Sequence, residues 1–315
     1  MRSDTPTGLY KHTTLPGSSI RLLKFQPDSQ PGDIRFNMEV HDIDSCPPYT
    51  VLSYTWGESG NERRIKIEGE WFPIRQNLAC FLDTEILKRD QGLENHVGDL
   101  FWIDHICINQ SNSDERGRQV SMMRQIYTGA ELVLAWLGEA SDDSDLAMGM
   151  FECHESYQGS PVGGWTVNEH AMAGFTDRPY WYRIWVIQEL LLARRLAILC
   201  RSRKVNLTPD VTEGILSLGR RFPGPFSLVE RILHLRSHDD QRRLFDMMLI
   251  SHQHIASEPE DKVFGLLGLA TNEDGVVPSY QVDYNQSAEE IIDSLYKTYL
   301  APGEPVNPVS EYLNS

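Results

Sequence analysis

The sequence predicts an α/β protein with a mostly parallel central sheet flanked by helices, preceded by N-terminal β-hairpins and followed by a helical extension. Short apolar stretches at residues 49–54, 100–103, 132–137 and 196–200 are typical of buried strands, and segments with helical spacing separate them. Such alternation of strands and helices is typical of a parallel sheet. Helical patterns alone follow residue 206.

Two β-hairpins are predicted on either side of the first apolar strand. Residues 19–25 and 34–40 alternate between apolar and polar and are separated by a turn-rich segment, and residues 64–67 and 71–74 bracket a Glu-Gly-Glu turn. Pro73 has no N–H to donate to a sheet, so the second hairpin is expected at an edge of the sheet.

The predicted organisation along the chain has four parts. They are an N-terminal tail over residues 1–18, an α/β domain over residues 19–205, a helical region over residues 206–300 packed on that domain, and a flexible tail over residues 301–315. A capping-box pattern beginning at Ser287 predicts a last helix that runs to about residue 299. Whether the chain is part of something longer is left open.

Composition argues against several classes of partner. The net charge of -16 repels a phosphate backbone, so no nucleic-acid partner is expected. The apolar runs are too short to span a bilayer and residues 1–8 contain no apolar leader, so no membrane association is expected. Five dispersed cysteines without metal-ligand spacing predict reduced thiols, a cytoplasmic location and no metal site.

The most conspicuous polar residue in an apolar helix is Glu189. A helix is predicted over residues 178–193, with Asp177 as its N-cap. Trp181, Trp185 and Glu189 follow one another at intervals of four and would project along one line of that helix. Two indoles would therefore lead to one carboxylate.

Two interpretations of Glu189 are open from the helix alone: a charge that is exposed or paired with an arginine such as Arg183, or a functional carboxylate. The ends of two predicted parallel strands favour the second. Because the carboxyl ends of parallel strands meet at one rim, the polar residues at 54–57 and 104–110 should gather there, with the Glu189 helix beside them.

Several separated stretches together resemble one family, the fungal heterokaryon-incompatibility (HET) domain. The resemblance implies a role in non-self recognition between fungal strains, a form of innate immunity that triggers regulated cell death. The stretches are YTVLSYTWG at residues 49–57, FWIDHICINQ at 101–110, ERGRQV at 115–120, AWLG at 135–138 and RIWVIQE at 183–189, with EDKVFGLLGL at 260–269 and VDY at 282–284 resembling a segment that commonly follows that domain.

HET domains are in turn regarded as distant relatives of TIR domains, whose fold is flavodoxin-like. Residues 51–58 are similar to the first strand and loop of a TIR domain, and residues 185–190 are similar to the plant TIR helix whose glutamate cleaves NAD. The resemblance implies that Glu189 is the catalytic residue of an NAD+ nucleosidase (NAD glycohydrolase), with NAD or a related nucleotide as substrate and no cofactor. The hairpins and the helical C-terminal region have no counterpart in a minimal TIR domain.

The residues expected to bind substrate come from the same stretches. A carboxylate beside the ribose stabilises the positive charge that develops on the sugar, aromatic faces hold a cationic ring, and arginines such as Arg63 or Arg183 bind phosphates. The chain has neither a Walker motif nor a G-x-G-x-x-G string, so neither ATP hydrolysis nor redox use of NAD is predicted. The predicted binding residues are Ser53, Tyr54, Trp56, Gly57, Asp104, Asn109, Gln110, Arg183 and Trp185.

Two alternatives to NAD cleavage are carried forward. One is a non-enzymatic cell-death scaffold in which residues 53–57 and 104–110 form a recognition face. The other is thiol hydrolase chemistry at Cys107 with His105, against which stands their placement two residues apart on a predicted strand; a buried thiol is the favoured interpretation. Self-association on activation and an incompatibility partner or sensor protein are expected, with the identity of the partner left open.

Overall fold

The computed structural model describes residues 8–93, 99–141, 143–156, 168–221, 227–237, 247–248, 251–269, 282–284, 286–287, 290–291 and 293–294. Within these residues the strands form one nine-stranded sheet. The predicted tail over residues 301–315 and most of the helix predicted after Ser287 lie outside the described residues. The start of that helix is described, and Ser287 and Glu290 exchange the reciprocal hydrogen bonds of a capping box.

The sheet has a parallel centre extended on both sides by antiparallel strands. Its order is β5-β4-β2-β1-β6-β3-β7-β8-β9, and the pairs β3–β6, β3–β7 and β7–β8 are parallel. The strands are β1 (Ser19–Phe25), β2 (Arg35–Asp42), β3 (Thr50–Tyr54), β4 (Glu62–Ile67), β5 (Glu70–Arg75), β6 (Leu100–Ile103), β7 (Leu132–Trp136), β8 (Leu196–Cys200) and β9 (Arg203–Asn206). The four central strands are buried along their whole length, as expected of strands covered on both faces.

Both predicted hairpins are confirmed, and both join the central sheet. β1 pairs with β6 in antiparallel fashion and β2 pairs with β4 in parallel, so the complete sheet is mixed. Pro73 lies on β5, the outermost strand, where its missing N–H costs no ladder hydrogen bond. Leu9 forms a bridge with Trp71 on the same strand, so part of the predicted N-terminal tail packs against the sheet.

One strand, β9, was not predicted. Its basic residues are typical of a solvated strand edge, and residues 203–206 pair with β8 in antiparallel register through a tight turn. Arg201 in that turn has a φ of 50°, a backbone conformation that residues other than glycine adopt rarely. The pairing makes β9 the other edge of the sheet.

The helices cover the sheet and the helical region packs on α7. They are α1 (Gln76–Asp90), α2 (Asp104–Cys107), α3 (Ser113–Ser121), α4 (Met123–Gly129), α5 (Ser144–Ser156), α6 (Glu169–Thr176), α7 (Ile184–Leu192), α8 (Pro209–Arg221), α9 (Ser227–Ser237) and α10 (Asp261–Leu267). α7 lies against β7, and α4, α9 and α10 lie against α7. Gly265 permits the close approach of α10, since a Cβ there would lie 3.2 Å from Ile184 Cγ1. None of the helices in the described part of the chain has the length and apolarity needed to cross a membrane.

The helix predicted over residues 178–193 is shorter than expected. Pro179–Tyr182 forms a 3-10 turn, α7 begins after Arg183, and Asp177 ends α6 instead of capping α7. The cause is a long-range contact: residues 183 and 255 form a parallel bridge, and the Ile184 N–H donates to the Ile255 carbonyl at 3.0 Å. An extended Arg183 cannot belong to a continuous helix.

The shortened helix separates the two predicted indoles. Trp181 lies in the 3-10 turn and packs against Phe175 and Tyr180, while its Nε1 donates to the Phe175 carbonyl. Trp185 and Glu189 remain one turn apart on α7. The prediction that Trp181 shares their line is therefore wrong.

The segment after β6 also differs from the prediction. Residues 104–107 form a single helical turn, α2, and do not continue the strand. Within that turn the Asp104 carboxylate accepts the N–H of His105 at 2.6 Å. His105 and Cys107 consequently do not share one face of a strand.

Candidate functional site

A cavity of about 810 Å³ lies at the carboxyl ends of the parallel strands. Residues 55–57 follow β3, and Asp104, Ile108 and Gln110 follow β6. The chain leaves β3 to build β6 on one side and β7 on the other, so the strand order reverses at β3. Ligands of open α/β sheets bind in the crevice at such a point. The predicted rim is thus present as one wall of this cavity.

Glu189 lies on α7 and contributes to the cavity lining, although its residue is only 3 % exposed. The Ser53 hydroxyl at the end of β3 donates to the carboxylate, the Tyr127 hydroxyl also hydrogen-bonds it, and Arg183 Nη1 lies 4.0 Å away. Burial raises the pKa of the Glu189 carboxyl, while the Arg183 charge and the two hydroxyls oppose that rise only in part. The interpretation of Glu189 as an exposed charge is therefore wrong, whereas its pairing with Arg183 is present at the outer limit of ion-pair distance, 4.0 Å.

Arg183 connects β3 to the Glu189 carboxylate. It precedes α7, and its Nη1 donates to the carbonyl oxygen of Tyr54 at the end of β3. Its guanidinium therefore already has a backbone acceptor and a nearby carboxylate. Arg63, the other arginine expected to bind phosphate, pairs with Asp83 at 2.6 Å and does not line this cavity.

Trp56 and Asp104 connect the ends of β3 and β6. The indole Nε1 of Trp56 donates to Asp104 Oδ2 at 2.9 Å, and the ring lies 5.0 Å from the ring of His105. Arg75 lines the cavity next to Trp56, and its guanidinium carbon lies 5.7 Å from the Trp56 ring centroid. Gly57 has a φ of 81°, so the turn after Trp56 uses a conformation that favours glycine.

The structure brings most of the predicted binding residues together. Ser53 and Tyr54 are buried and do not line the cavity themselves. The Ser53 hydroxyl donates to Glu189 and the Tyr54 carbonyl oxygen accepts from Arg183, and both of these partners line the cavity. Asn109 is not part of the lining, and its side chain accepts from Ser111 Oγ at 2.7 Å. Those that line the cavity are Trp56, Gly57, Asp104, Gln110, Arg183, Trp185 and Glu189.

The opposite wall comes from the C-terminal region and was not predicted. Residues 255–258, Asp261 and Tyr284 line the cavity. The Tyr284 hydroxyl donates to Asp261 Oδ1 at 2.8 Å, and the Trp185 side chain hydrogen-bonds the same carboxylate. Burial raises the pKa of Asp261 in spite of these two donors. The family resemblance of residues 260–269 and 282–284 was the one feature of the sequence that could have indicated this wall. Asp261 itself did not, because acidic residues are common in the first turn of a helix, where they interact favourably with the helix dipole.

Cys107 is not suited to nucleophilic chemistry. The residue is fully buried, its sulfur accepts the Ile103 N–H at 3.3 Å, and burial raises the pKa of the thiol to about 12. A nucleophilic cysteine has to be a thiolate near neutral pH. The favoured interpretation of Cys107 as a buried thiol is confirmed. Among the described residues no cluster of three or more His, Cys, Asp or Glu residues could hold a metal ion.

These features define a class: an α/β protein with a strand-end cavity that contains a buried carboxylate of raised pKa. Sequence comparison gives the family. Residues 49–189 match the family described as Heterokaryon incompatibility protein (HET), so this part of the chain is a HET domain. The matched segment begins just before β3 and ends at Glu189.

Two curated relatives extend the comparison. Heterokaryon incompatibility protein 6, OR allele, of Neurospora crassa is 26 % identical over 362 aligned residues, which cover 90 % of this chain and 53 % of the relative. Vegetative incompatibility protein HET-E-1 of Podospora anserina is 24 % identical over 160 residues, covering 50 % of this chain and 10 % of the relative. The chain thus spans about half the length of the Neurospora protein. No solved structure matches the chain.

Proposed function

We propose that this chain is an effector of fungal heterokaryon incompatibility, which triggers cell death by cleaving the nicotinamide–ribose bond of NAD or a related nucleotide. The names of the two relatives support the part in incompatibility. One structural observation carries the enzymatic part: Glu189 is a buried carboxylate of raised pKa in the lining of a ligand-sized cavity. The parallel strand order β6-β3-β7-β8 matches the first four strands of a flavodoxin-like sheet, which supports the TIR-like comparison.

The reaction suits a carboxylate at this position. When the bond between ribose C1′ and the pyridinium nitrogen breaks, its electron pair leaves with nicotinamide, which departs neutral. Positive charge then develops on the ribose, and the Glu189 carboxylate stabilises that charge. Water adds to C1′ and loses one proton, and a carboxylate of raised pKa is suited to accept it.

The aromatic residues of the lining supply a place for the cationic ring. Trp56 lies on the strand-end wall and Trp185 lies one turn from Glu189. Each indole is oriented by a carboxylate, Trp56 by Asp104 and Trp185 by Asp261. An indole face attracts a cation such as an N-substituted pyridinium, and the attraction disappears when the neutral product leaves.

The test is release of nicotinamide from NAD by the purified chain, with and without enforced clustering. Glu189→Gln keeps the size of the side chain and removes its charge, so we expect a loss of about 100-fold or more. Glu131→Gln is the control, because Glu131 lies in an exposed ion pair with Arg195. Equal rates for Glu189→Gln and the parent protein, or no release by the clustered parent, would overturn the enzymatic proposal.

The alternative function is a non-enzymatic cell-death scaffold. It is favoured by one observation: the Glu189 carboxylate already accepts hydrogen bonds from Ser53 and Tyr127, and so joins α7 to the rest of the fold. A cell-death assay of Glu189→Gln separates the two functions. Loss of killing with normal folding and normal capture of partners supports catalysis, whereas loss of both killing and capture supports the scaffold.

A further inference from the structure

Three arginines line the cavity, and one of them differs from the other two. Arg75 Nη1 donates to the carbonyl oxygen of Gly57 at 2.5 Å, and Arg183 donates to the carbonyl oxygen of Tyr54. Arg116, on α3, makes no side-chain hydrogen bond and no ion pair with any described residue, and its Nε is buried without a partner. A guanidinium carries five N–H donors and no acceptor. Its two Nη groups are neither buried nor hydrogen-bonded within the described residues, so they, and not the buried Nε, are the donors that Arg116 presents in the cavity wall.

The guanidinium of Arg116 is held by stacking. Its central carbon lies 3.9 Å from the centroid of the Tyr284 ring. That ring is fixed in turn, because its hydroxyl donates to Asp261 at 2.8 Å and its edge packs against Phe264 at 5.1 Å between centroids. Stacking uses the flat face of a guanidinium and leaves the N–H groups at its edge available.

The nearby carboxylate does not occupy these donors. Asp261 accepts from Tyr284 and Trp185; the Arg116 charge acts to lower the pKa of Asp261, but the two side chains form no ion pair within 4.0 Å in the described structure. A planar cation with available edge donors matches the oxygens of a phosphate, which it binds through two parallel hydrogen bonds. The cavity volume of about 810 Å³ lies within the range of sites that enclose cofactor-sized molecules.

We propose that Arg116, supported by Tyr284, binds the diphosphate group of a nucleotide in this cavity. The inference rests on the proposed function, because it concerns the same cavity, and it adds a requirement on the substrate. The substrate has to be phosphorylated, so a nucleotide is accepted and the corresponding nucleoside is not.

Binding can be measured without any turnover. Calorimetric titration of the full chain with ADP, inorganic pyrophosphate and adenosine should show binding of the first two and none of adenosine. Arg116→Gln should weaken binding of ADP and of pyrophosphate by about tenfold or more, the effect of losing charge-assisted hydrogen bonds. Arg118→Gln is the matched control, since Arg118 is exposed two residues further along the same helix, and it should bind as the parent does.

A second variant covers the case in which Arg116→Gln fails to fold. Arg116→Lys keeps the positive charge but loses the planar edge donors, so binding of ADP between that of the parent and that of Arg116→Gln is expected. Thermal unfolding of each variant establishes that it is folded. Binding of ADP by either folded variant that equals binding by the parent would overturn the proposal, as would a parent that binds neither ADP nor pyrophosphate.

The outcomes separate this proposal from the proposed function. If the chain releases nicotinamide and Arg116→Gln leaves the KM for NAD unchanged, the phosphate site is wrong and NAD cleavage stands. If no nicotinamide is released but Arg116→Gln loses binding of ADP, the phosphate site stands and NAD cleavage is wrong.

Discussion

Two glutamates of this fold are buried to nearly the same degree, yet their surroundings differ. Glu115 is 2 % exposed and Glu189 is 3 % exposed, and each lies near an arginine. Glu115 forms two short contacts with Arg21, of 2.6 and 3.1 Å, and also accepts the N–H of Asn109. Glu189 has its arginine, Arg183, 4.0 Å away and accepts hydrogen bonds from hydroxyl groups.

The pKa values of the two glutamates move in opposite directions. Burial favours the neutral form of both carboxyls. For Glu115 the hydrogen bonds from Arg21 and Asn109, together with the Arg21 charge, outweigh burial and lower the pKa. For Glu189 burial prevails and the pKa is raised. A low exposed fraction alone therefore does not mark a reactive carboxylate: Glu115 has an arginine at 2.6 Å and a lowered pKa, whereas Glu189 lies 4.0 Å from its arginine and has a raised pKa in the cavity lining.

The largest expected effect concerns the Glu115 ion pair. Arg21 on β1 is fully buried, so Glu115→Gln leaves an uncompensated charge inside the protein. We expect the free energy of unfolding to fall by about 3–5 kcal/mol. Glu131→Gln, which breaks an exposed ion pair, should cost less than about 1 kcal/mol. Equal costs for the two variants in denaturant titrations would contradict the structural role given to Glu115.

Glu189→Gln is expected to have the opposite sign. Because the folded protein raises the pKa of Glu189, the ionised carboxylate is disfavoured by folding at neutral pH. Replacing it with an uncharged residue of the same size should raise the free energy of unfolding at pH 7 by about 0.5–2 kcal/mol, as is common when a functional group is removed. Destabilisation comparable to that of Glu115→Gln would show that Glu189 is a structural residue.

The dependence on pH sharpens the same contrast. The contribution of Glu115 to stability is present above the ordinary glutamate pKa of 4.5 and is lost as the pH falls through its lower folded value. The contribution of Glu189 is present below that pKa of 4.5 and is lost as the pH rises through its higher folded value. Melting temperatures of the parent and both variants across acidic and neutral pH should therefore give difference curves of opposite slope. Curves of equal slope would contradict the assignment.

The rim of the cavity was predictable because its signals are local. Four short apolar stretches indicate the parallel strands, and a topological rule then places the residues that follow Tyr54 and Ile103 at one edge. The spacing of Trp185 and Glu189 was likewise readable, since both fall within α7. Residues close in sequence determined these parts of the site.

The remaining parts depend on contacts between distant residues. The start of α7 is set by a bridge between Arg183 and Ile255, which no local pattern announces. The sequence around Arg116 does not indicate a binding role. That role follows only from the fold, which places the Tyr284 ring against the Arg116 guanidinium. The Glu115 ion pair is equally hidden, because its arginine lies on the first strand, 94 residues away along the chain.

The smallest expected effect belongs to Ser53, whose hydroxyl lies between Glu189 and the Tyr180 hydroxyl, 2.6 Å from the latter. Ser53→Ala should lower the free energy of unfolding by about 1 kcal/mol, the net value of a buried hydrogen bond. Ser111→Ala is the control, since that serine is exposed, and it should stay within about 0.5 kcal/mol of the parent.

The informative readout for Ser53→Ala is the pH profile of nicotinamide release. The Ser53 hydrogen bond favours the ionised carboxylate, so its removal should raise the pKa of Glu189 further. If the ionised form is the active one, the acidic limb of the profile moves to higher pH, while Ser111→Ala leaves it in place. A lower rate with an unmoved acidic limb would mean that Ser53 supports the packing of β3 against α7 and does not adjust the ionisation of Glu189.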